Sequence, residues 1–264
     1  MTDERDWLAD CRAAVGDLKR ILAELPGRAD REPVVGEGEG GDETTAIDQA
    51  AEDVLVTRFR ELDTTIVSEE VGEVGSGRYR VVIDPIDGSL NAKRGIPFFS
   101  LSIAIADGPL MDDVFFGFVH DFGSGEEWTG RRGEGAYLDG SRLGDERPKD
   151  RIEILSFEAT RTALVAEHAA AMVGIAHRLR IMGSLALSLC HLAAGRVDGV
   201  CSLKPARAVD IAAGQLLVRE VGLCIDLPQA PPFERAPLDV EGRSRVVAAA
   251  TPELCGQLST ALDA

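Results

Sequence analysis

Residues 79–91 read Tyr79-Arg80-Val81-Val82-Ile83-Asp84-Pro85-Ile86-Asp87-Gly88-Ser89-Leu90-Asn91. The apolar run Val81 to Ile83 reads as a buried strand that delivers Asp84 at its end. Pro85 has no N–H to give to a sheet ladder, so strand pairing is expected to stop there. Asp87, Gly88 and Ser89 follow at what reads as a helix start. Hard divalent cations need several oxygen ligands converging on one point. Phosphate needs free backbone N–H groups at a helix N-terminus. Both requirements are met within six residues, which points to cation-assisted phosphate chemistry.

Asp-Pro or Asp-Gly alone is an ordinary turn signal. The whole string is more than that, because a hydroxyl and an amide side chain open the next segment. A calcium-binding EF-hand is excluded, since its third and fifth positions would fall on Ile86 and Gly88, which carry no side-chain oxygen. The D-x-D-G-T string of haloacid-dehalogenase phosphatases is a lesser alternative. Here two residues separate the aspartates instead of one, and the string lies far from the N-terminus.

Working outward, Trp7, Leu8, Cys11, Val15, Leu18, Leu22 and Leu25 predict an amphipathic helix ended by Pro26-Gly27. Gly36 to Asp42 reads as a mobile acidic loop, and Ile47 to Phe59 as a second helix. Thr64 to Val67 is a short strand that leads into Ser68-Glu69-Glu70. Ser100 to Ala106, Val114 to Asp121, Glu127 to Thr129 and Ala136 to Leu138, separated by turn signals, predict an antiparallel meander. Beyond Arg147-Pro148 the texture becomes alternating: strand 152–157, helix 160–172, strand 178–182, helix 184–194, strand 198–202, helix 209–221, strands 223–225 and 246–250, and a helix from Pro252. The expected organisation is an N-terminal α+β half (1–148) and a C-terminal α/β half (149–264).

The bulk numbers narrow the function. The chain has 264 residues, 45% of them hydrophobic, so a globular protein with a sizeable core is expected. No apolar run approaches the ~20 residues needed to span a bilayer. Met1 to Asp6 is charged and lacks an apolar signal core, and five dispersed cysteines form no CxxC pair. A cytoplasmic protein with reduced thiols is expected. The net charge of −17 argues against nucleic-acid partners, whose phosphates it would repel. It also means that bound cations must supply the attraction for an anionic substrate.

Several other residues are candidates. The strand at 64–67 delivers Glu69-Glu70 much as Val81–Ile83 delivers Asp84. Asp48 opens the second helix, where a plain helix-dipole role competes with a chemical one. Asp210, in Val209-Asp210-Ile211-Ala212-Ala213-Gly214, starts a helix whose small residues leave room for another group. Gly183-Ser184 is either an N-cap or a substrate contact. Lys204 and Arg207 could pair with surface acids or hold an anion.

Together, Glu69-Glu70, Asp84 to Asn91 and Val209 to Gly214 resemble, in order and spacing, the three motifs of the inositol monophosphatase family. The extension Asn91-Ala92-Lys93-Arg94-Gly95-Ile96-Pro97 resembles its archaeal branch, in which fructose-1,6-bisphosphatase and inositol monophosphatase activities occur together. The resemblance implies a layered αβαβα sandwich, a homodimer, and a place in carbohydrate metabolism at a gluconeogenic step. It further implies a small phosphate-ester substrate and Mg²⁺, with Mn²⁺ as a substitute. By position it makes metal ligands of Glu69, Asp84, Asp87, Asp210 and the Ile86 carbonyl. It puts Gly88 and Ser89 N–H groups on the phosphate, and gives Ser89 and Asp48 the activation of the attacking water. Gly183, Ser184, Lys204 and Arg207 would face the sugar or polyol. Two departures stand out: Ser89 replaces the usual Thr, and the loop that carries a lysine in many relatives offers only Glu37, Glu39 and Asp42. Phosphatases of 3′-phosphoadenosine nucleotides or NADP share the fold and are the main alternative. A non-catalytic cation-binding protein is a lesser one.

The acidity also bears on the host. A GC-rich genome inflates Ala, Gly, Arg and Asp but does not alone explain the excess of acids, so a potassium-rich, halophilic cytoplasm is the favoured explanation. Melting followed from molar to millimolar KCl tests this: stability should collapse at low salt, and an unchanged melting temperature would remove the explanation.

Overall fold

The computed structural model describes residues 5–39, 43–158 and 161–263. Two sheets organise it. The larger has eight strands in the order 141–142, 135–138, 127–131, 114–121, 100–106, 79–87, 64–68 and 72–75. All its pairings are antiparallel except Thr64–Ser68 with Tyr79–Asp87, which is parallel. The smaller has five strands in the order 176–180, 152–158, 199–202, 247–249 and 224–226.

Alternation along the strands sets the layers. Ile66, Val81, Ile83, Ile103 and Ile105 point to one face of the large sheet, where Trp7–Glu24 and Ala46–Arg60 cover them. Val67, Val82, Ala104 and Ala106 point to the other face, against Leu185–Ala193 and Ala208–Glu220. Those two helices also take Val200 and Ala248 of the small sheet, whose far face (Leu155, Phe157, Cys201, Val247) packs on Pro252–Leu262. The result is the layered αβαβα sandwich expected from the sequence, with a core shared by both halves of the chain. Among the described residues no helix is long and apolar enough to cross a membrane.

The meander and most of the alternating second half occupy their predicted positions. Three differences have physical causes. The acidic loop starts instead as strand Val34–Glu37, paired antiparallel with Glu43–Thr45, because backbone pairing needs no apolar side chains; residues 40–42 lie outside the described set. A short strand, Gly72–Gly75, pairs with Thr64–Ser68 despite two glycines. The third difference is at Pro85. Strand Tyr79–Asp87 does not stop there, because its register slips: Asp84 faces Ser102, and Asp87 faces Ser100. Three steps on one strand oppose two on the other, which is a β-bulge. In a regular strand Asp84 and Asp87 would point to opposite faces. The extra residue turns both toward the middle helices.

Helix Ala208–Glu220 reaches this site by lying close on the sheet. Ala104 pairs with Gly117 and Gly117 with Gly130, so small residues form a row across three strands. A Cβ added at Gly117 would stand 2.9 Å from the Ala213 carbonyl oxygen. Gly117→Ala should therefore lift the helix and cost about 1–3 kcal/mol, read by urea denaturation. Unchanged stability would show that the close approach does not constrain the helix.

Candidate active site

Three chain segments bring four acids together at one end of the large sheet. The parallel pairing of Ser68 with Ile83 puts the next residues, Glu69 and Asp84, side by side. The bulge adds Asp87, and the first turn of helix Ala208–Glu220 adds Asp210. One carboxylate oxygen from each of Glu69, Asp84 and Asp210 lies within 4.8 Å of the others. These residues open on a cleft of about 300 Å³ that Asp48, Ile86, Asp87, Gly88, Ser89, Gly183, Lys204 and Arg207 also line. Of the twelve residues singled out from the sequence, eleven thus border one cavity.

Ser184 is the exception. It is buried, and its Oγ donates to Asp87 Oδ2, which also accepts the Ala186 N–H at 2.7 Å. Ser184 caps Leu185–Ala193 and anchors a carboxylate; it does not face the cleft. Asp87 accordingly borders the cleft with one oxygen already committed, and stands outside the close triad. Arg207 lines the cleft, with its guanidinium engaged by acids of this chain. Its side chain is buried and contacts Glu69 Oε1 at 2.5 Å and Asp210 Oδ1 at 3.5 Å. Lys204 remains exposed at the rim. Glu70 accepts a bond from Thr44 Oγ1 and so ties strand Glu43–Thr45 to the site.

Backbone geometry around Gly88 is exacting. Its φ is +93°, and a Cβ would meet the Gly183 and Phe98 carbonyl oxygens at 3.0 and 3.1 Å. The chain then enters the short helix Ser89–Arg94, whose first N–H groups have no partner within the helix. Ser89 Oγ donates to the Ile86 carbonyl at 2.9 Å, and the Ile86 N–H donates to Asp84 Oδ1 at 3.0 Å. Asn91 joins the two halves of the chain: its Nδ2 donates to Phe98 and Met182 carbonyls, both at 2.8 Å.

Asp48 sits at the cleft wall with Oδ2 held by Thr45 Oγ1 at 2.6 Å and Lys93 Nζ at 2.9 Å. Its Oδ1 is buried and has no hydrogen-bond partner among the described residues. Sequence reasoning quoted Lys93 only as part of a motif. Lysine is scarce in this chain, yet Lys93 and Lys204 both border the cleft; that scarcity was the available signal. Glu158, which sequence reasoning also passed over, lines the cleft and accepts the Gly183 N–H at 2.8 Å, fixing that loop. A single acid at the end of an apolar strand gave no sign of this.

The donors suit a hard divalent cation: all are oxygens, mostly carboxylate, and Asp48 keeps an unpartnered one. The electrostatics agree. Burial pushes Glu69 up to about 7, with Arg207 opposing and Asp210 reinforcing the shift. Burial likewise pushes Asp87 up to about 7, against the Ser184 hydrogen bond. Asp84 is raised by burial, then by Asp87 and Glu69. Crowded, desolvated carboxylates either hold protons or hold cations.

Against known proteins, the model of the inositol monophosphatase family matches residues 7–263. The chain is 34% identical over 263 residues to a fructose-1,6-bisphosphatase/inositol-1-monophosphatase of Thermococcus kodakarensis, covering 99% of this chain and 98% of the relative. It is 39% identical over 191 residues to the Nus factor SuhB of Pasteurella multocida, covering 69% and 70%. A crystal structure of an inositol monophosphatase-fructose 1,6 bisphosphatase superposes with a TM-score of 0.85 at 27% identity, covering 97% of this chain and all of the other.

The raised carboxyl pKa values fix a sign. A group raised in the folded state stabilises fully below its unfolded pKa and loses that contribution as pH rises through about 7. Cation binding needs the ionised forms. The gain in melting temperature from added Mg²⁺ over chelator should therefore grow from about pH 5 to about pH 8. A gain that shrinks over that range would contradict the assignment.

Proposed function

The chain belongs to the inositol monophosphatase family, and on that premise we propose that it hydrolyses fructose 1,6-bisphosphate and inositol 1-phosphate, with Mg²⁺ as its cation. It is a metal-dependent phosphatase of sugar or inositol phosphates. The observation that carries the reading is the convergence of Glu69, Asp84 and Asp210 beside the Gly88–Ser89 turn.

Glu69, Asp84, Asp87, Asp210 and the Ile86 carbonyl would hold the divalent cations. When bound, these supply charge neutralisation for the phosphoryl oxygens and acidify water. The chain's own groups do the rest. The N–H groups opening Ser89–Arg94 face the phosphate, which needs positioning more than covalent help. Asp48, fixed through Oδ2 by Thr45 and Lys93, presents Oδ1 to take the proton of the attacking water. Ser89 Oγ, whose proton lies on the Ile86 carbonyl, offers its lone pairs to orient that water. Glu158 holds Gly183 in place against the polyol side of the cleft, and exposed Lys204 offers the anionic ester a positive rim. Phosphate leaves directly, without a covalent aspartyl intermediate.

Phosphatase activity on 3′-phosphoadenosine nucleotides or NADP is the competing choice within the same family. Phosphate release from a panel of these esters, with and without Mg²⁺, ranks them: fructose 1,6-bisphosphate and inositol 1-phosphate should lead, and a nucleotide in first place would overturn the substrate assignment. No release from any ester would instead leave a cation-binding protein. Asp87→Asn should cut kcat at least about 100-fold with an unchanged circular dichroism spectrum. Near-normal turnover by that variant would remove Asp87 from the machinery. A chiral phosphate ester should react with inversion; retention would restore the covalent-aspartate alternative.

A further inference from the structure

Arg207 occupies a position that an ordinary substrate contact does not require. As the residue that caps Ala208–Glu220, it donates its own N–H to Asp210 Oδ2 at 2.7 Å. Its side chain folds back over the same carboxylate, with Nη2 at 2.5 Å from Glu69 Oε1 and 3.5 Å from Asp210 Oδ1. The side chain is only 8% exposed. Glu69 and Asp210 are two of the three residues whose oxygens cluster within 4.8 Å. The guanidinium and a divalent cation therefore call on the same two carboxylates.

Electrostatics makes these two uses antagonistic. A guanidinium against Glu69 Oε1 repels an ion on that oxygen, with little water between them to screen it. It also occupies the lone pairs that the ion needs, since a buried guanidinium pairs with carboxylate through short, directed bonds. Burial opposes the charge on Arg207, but Asp210, Glu69 and Asp84 outweigh it, so the side chain stays protonated at any pH at which the protein works. It cannot make way for an ion by losing its proton. It must move.

We propose that Arg207 is a built-in competitor of the catalytic cation: it neutralises Glu69 and Asp210 itself, and cation uptake requires the Arg207–Glu69 pair to break. This rests on the reading of Glu69 and Asp210 as cation ligands. Arg207 already borders the cleft, so a guanidinium leaving Glu69 turns toward the space taken by the anionic ester. By linkage, an ester that draws Arg207 away tightens the cation, and the cation tightens the ester by the same factor.

The test is Mn²⁺ binding to the whole protein without substrate, read by electron paramagnetic resonance of the free ion. Arg207→Met should bind Mn²⁺ at least about tenfold more tightly than the parent chain. Arg207→Lys, which keeps the charge but loses the planar fork, should fall between them. In chelator, Arg207→Met should melt lower than the parent chain, and Mn²⁺ should raise its melting temperature more. Equal or weaker Mn²⁺ binding by a folded Arg207→Met would overturn the proposal and make Arg207 a positioning residue for its carboxylates. A parent chain that binds no Mn²⁺ would sink the cation site as well. Should Arg207→Met not fold, a crystal of the parent chain with Mn²⁺ decides: Nη2 is expected beyond hydrogen-bond distance of Glu69 Oε1, and an intact contact at 2.5 Å would overturn the proposal.

Discussion

Like-charged carboxylates brought together away from water set the terms for everything around them. Glu69, Asp84 and Asp87 all have raised affinities for protons, with burial the first cause in each. Such a cluster is costly unless something positive or hydrogen-bonding meets it. The structure supplies Arg207 on Glu69 and Asp210, Lys93 on Asp48, and the Ser184 hydroxyl with the Ala186 N–H on Asp87. Apart from Arg207 on Asp210, which is local to one helix start, each of these partners comes from a different chain segment from the acid it serves. The fold can be described as the arrangement that lets those segments meet.

Much of this was legible in the sequence because the chemistry and the secondary structure share the same residues. The acids Glu69 and Asp84 follow from apolar runs that stop abruptly, and the helix start at Asp210 follows from its small neighbours. What was not legible depends on register and rotamer. The slip between Asp84 and Asp87 leaves no mark in composition, and Pro85 suggested a strand end where there is a bulge. Ser184 and Arg207 were expected to face the substrate, whereas the Ser184 hydroxyl holds Asp87 and the Arg207 guanidinium holds Glu69; a one-dimensional reading cannot tell a side chain that touches substrate from one that holds a carboxylate. Lys93 was hidden for the opposite reason: it belongs to a short helix whose orientation only the packed structure shows.

The two halves of the chain also depend on each other in a way that separate motifs conceal. Helices Leu185–Ala193 and Ala208–Glu220 follow residue 149, yet they form the covering layer of a sheet built before residue 143. Asn91 and the Gly88 turn press against Met182 and Gly183 from across that seam. An N-terminal half alone would expose Val82, Ala104 and Trp128 and leave Asp87 without its anchor.

The bulge in Tyr79–Asp87 has a consequence for how such a chain can change over generations. Because one extra residue reverses which side chains look inward, the length of the segment between Ile83 and Gly88 is as constrained as its chemistry. Single-residue deletions there would erase the bulge and insertions would widen it, and either would move the Ile86 N–H and carbonyl away from Asp84 and Ser89. A frame of constant length is thus a requirement separate from the identity of any one residue within it.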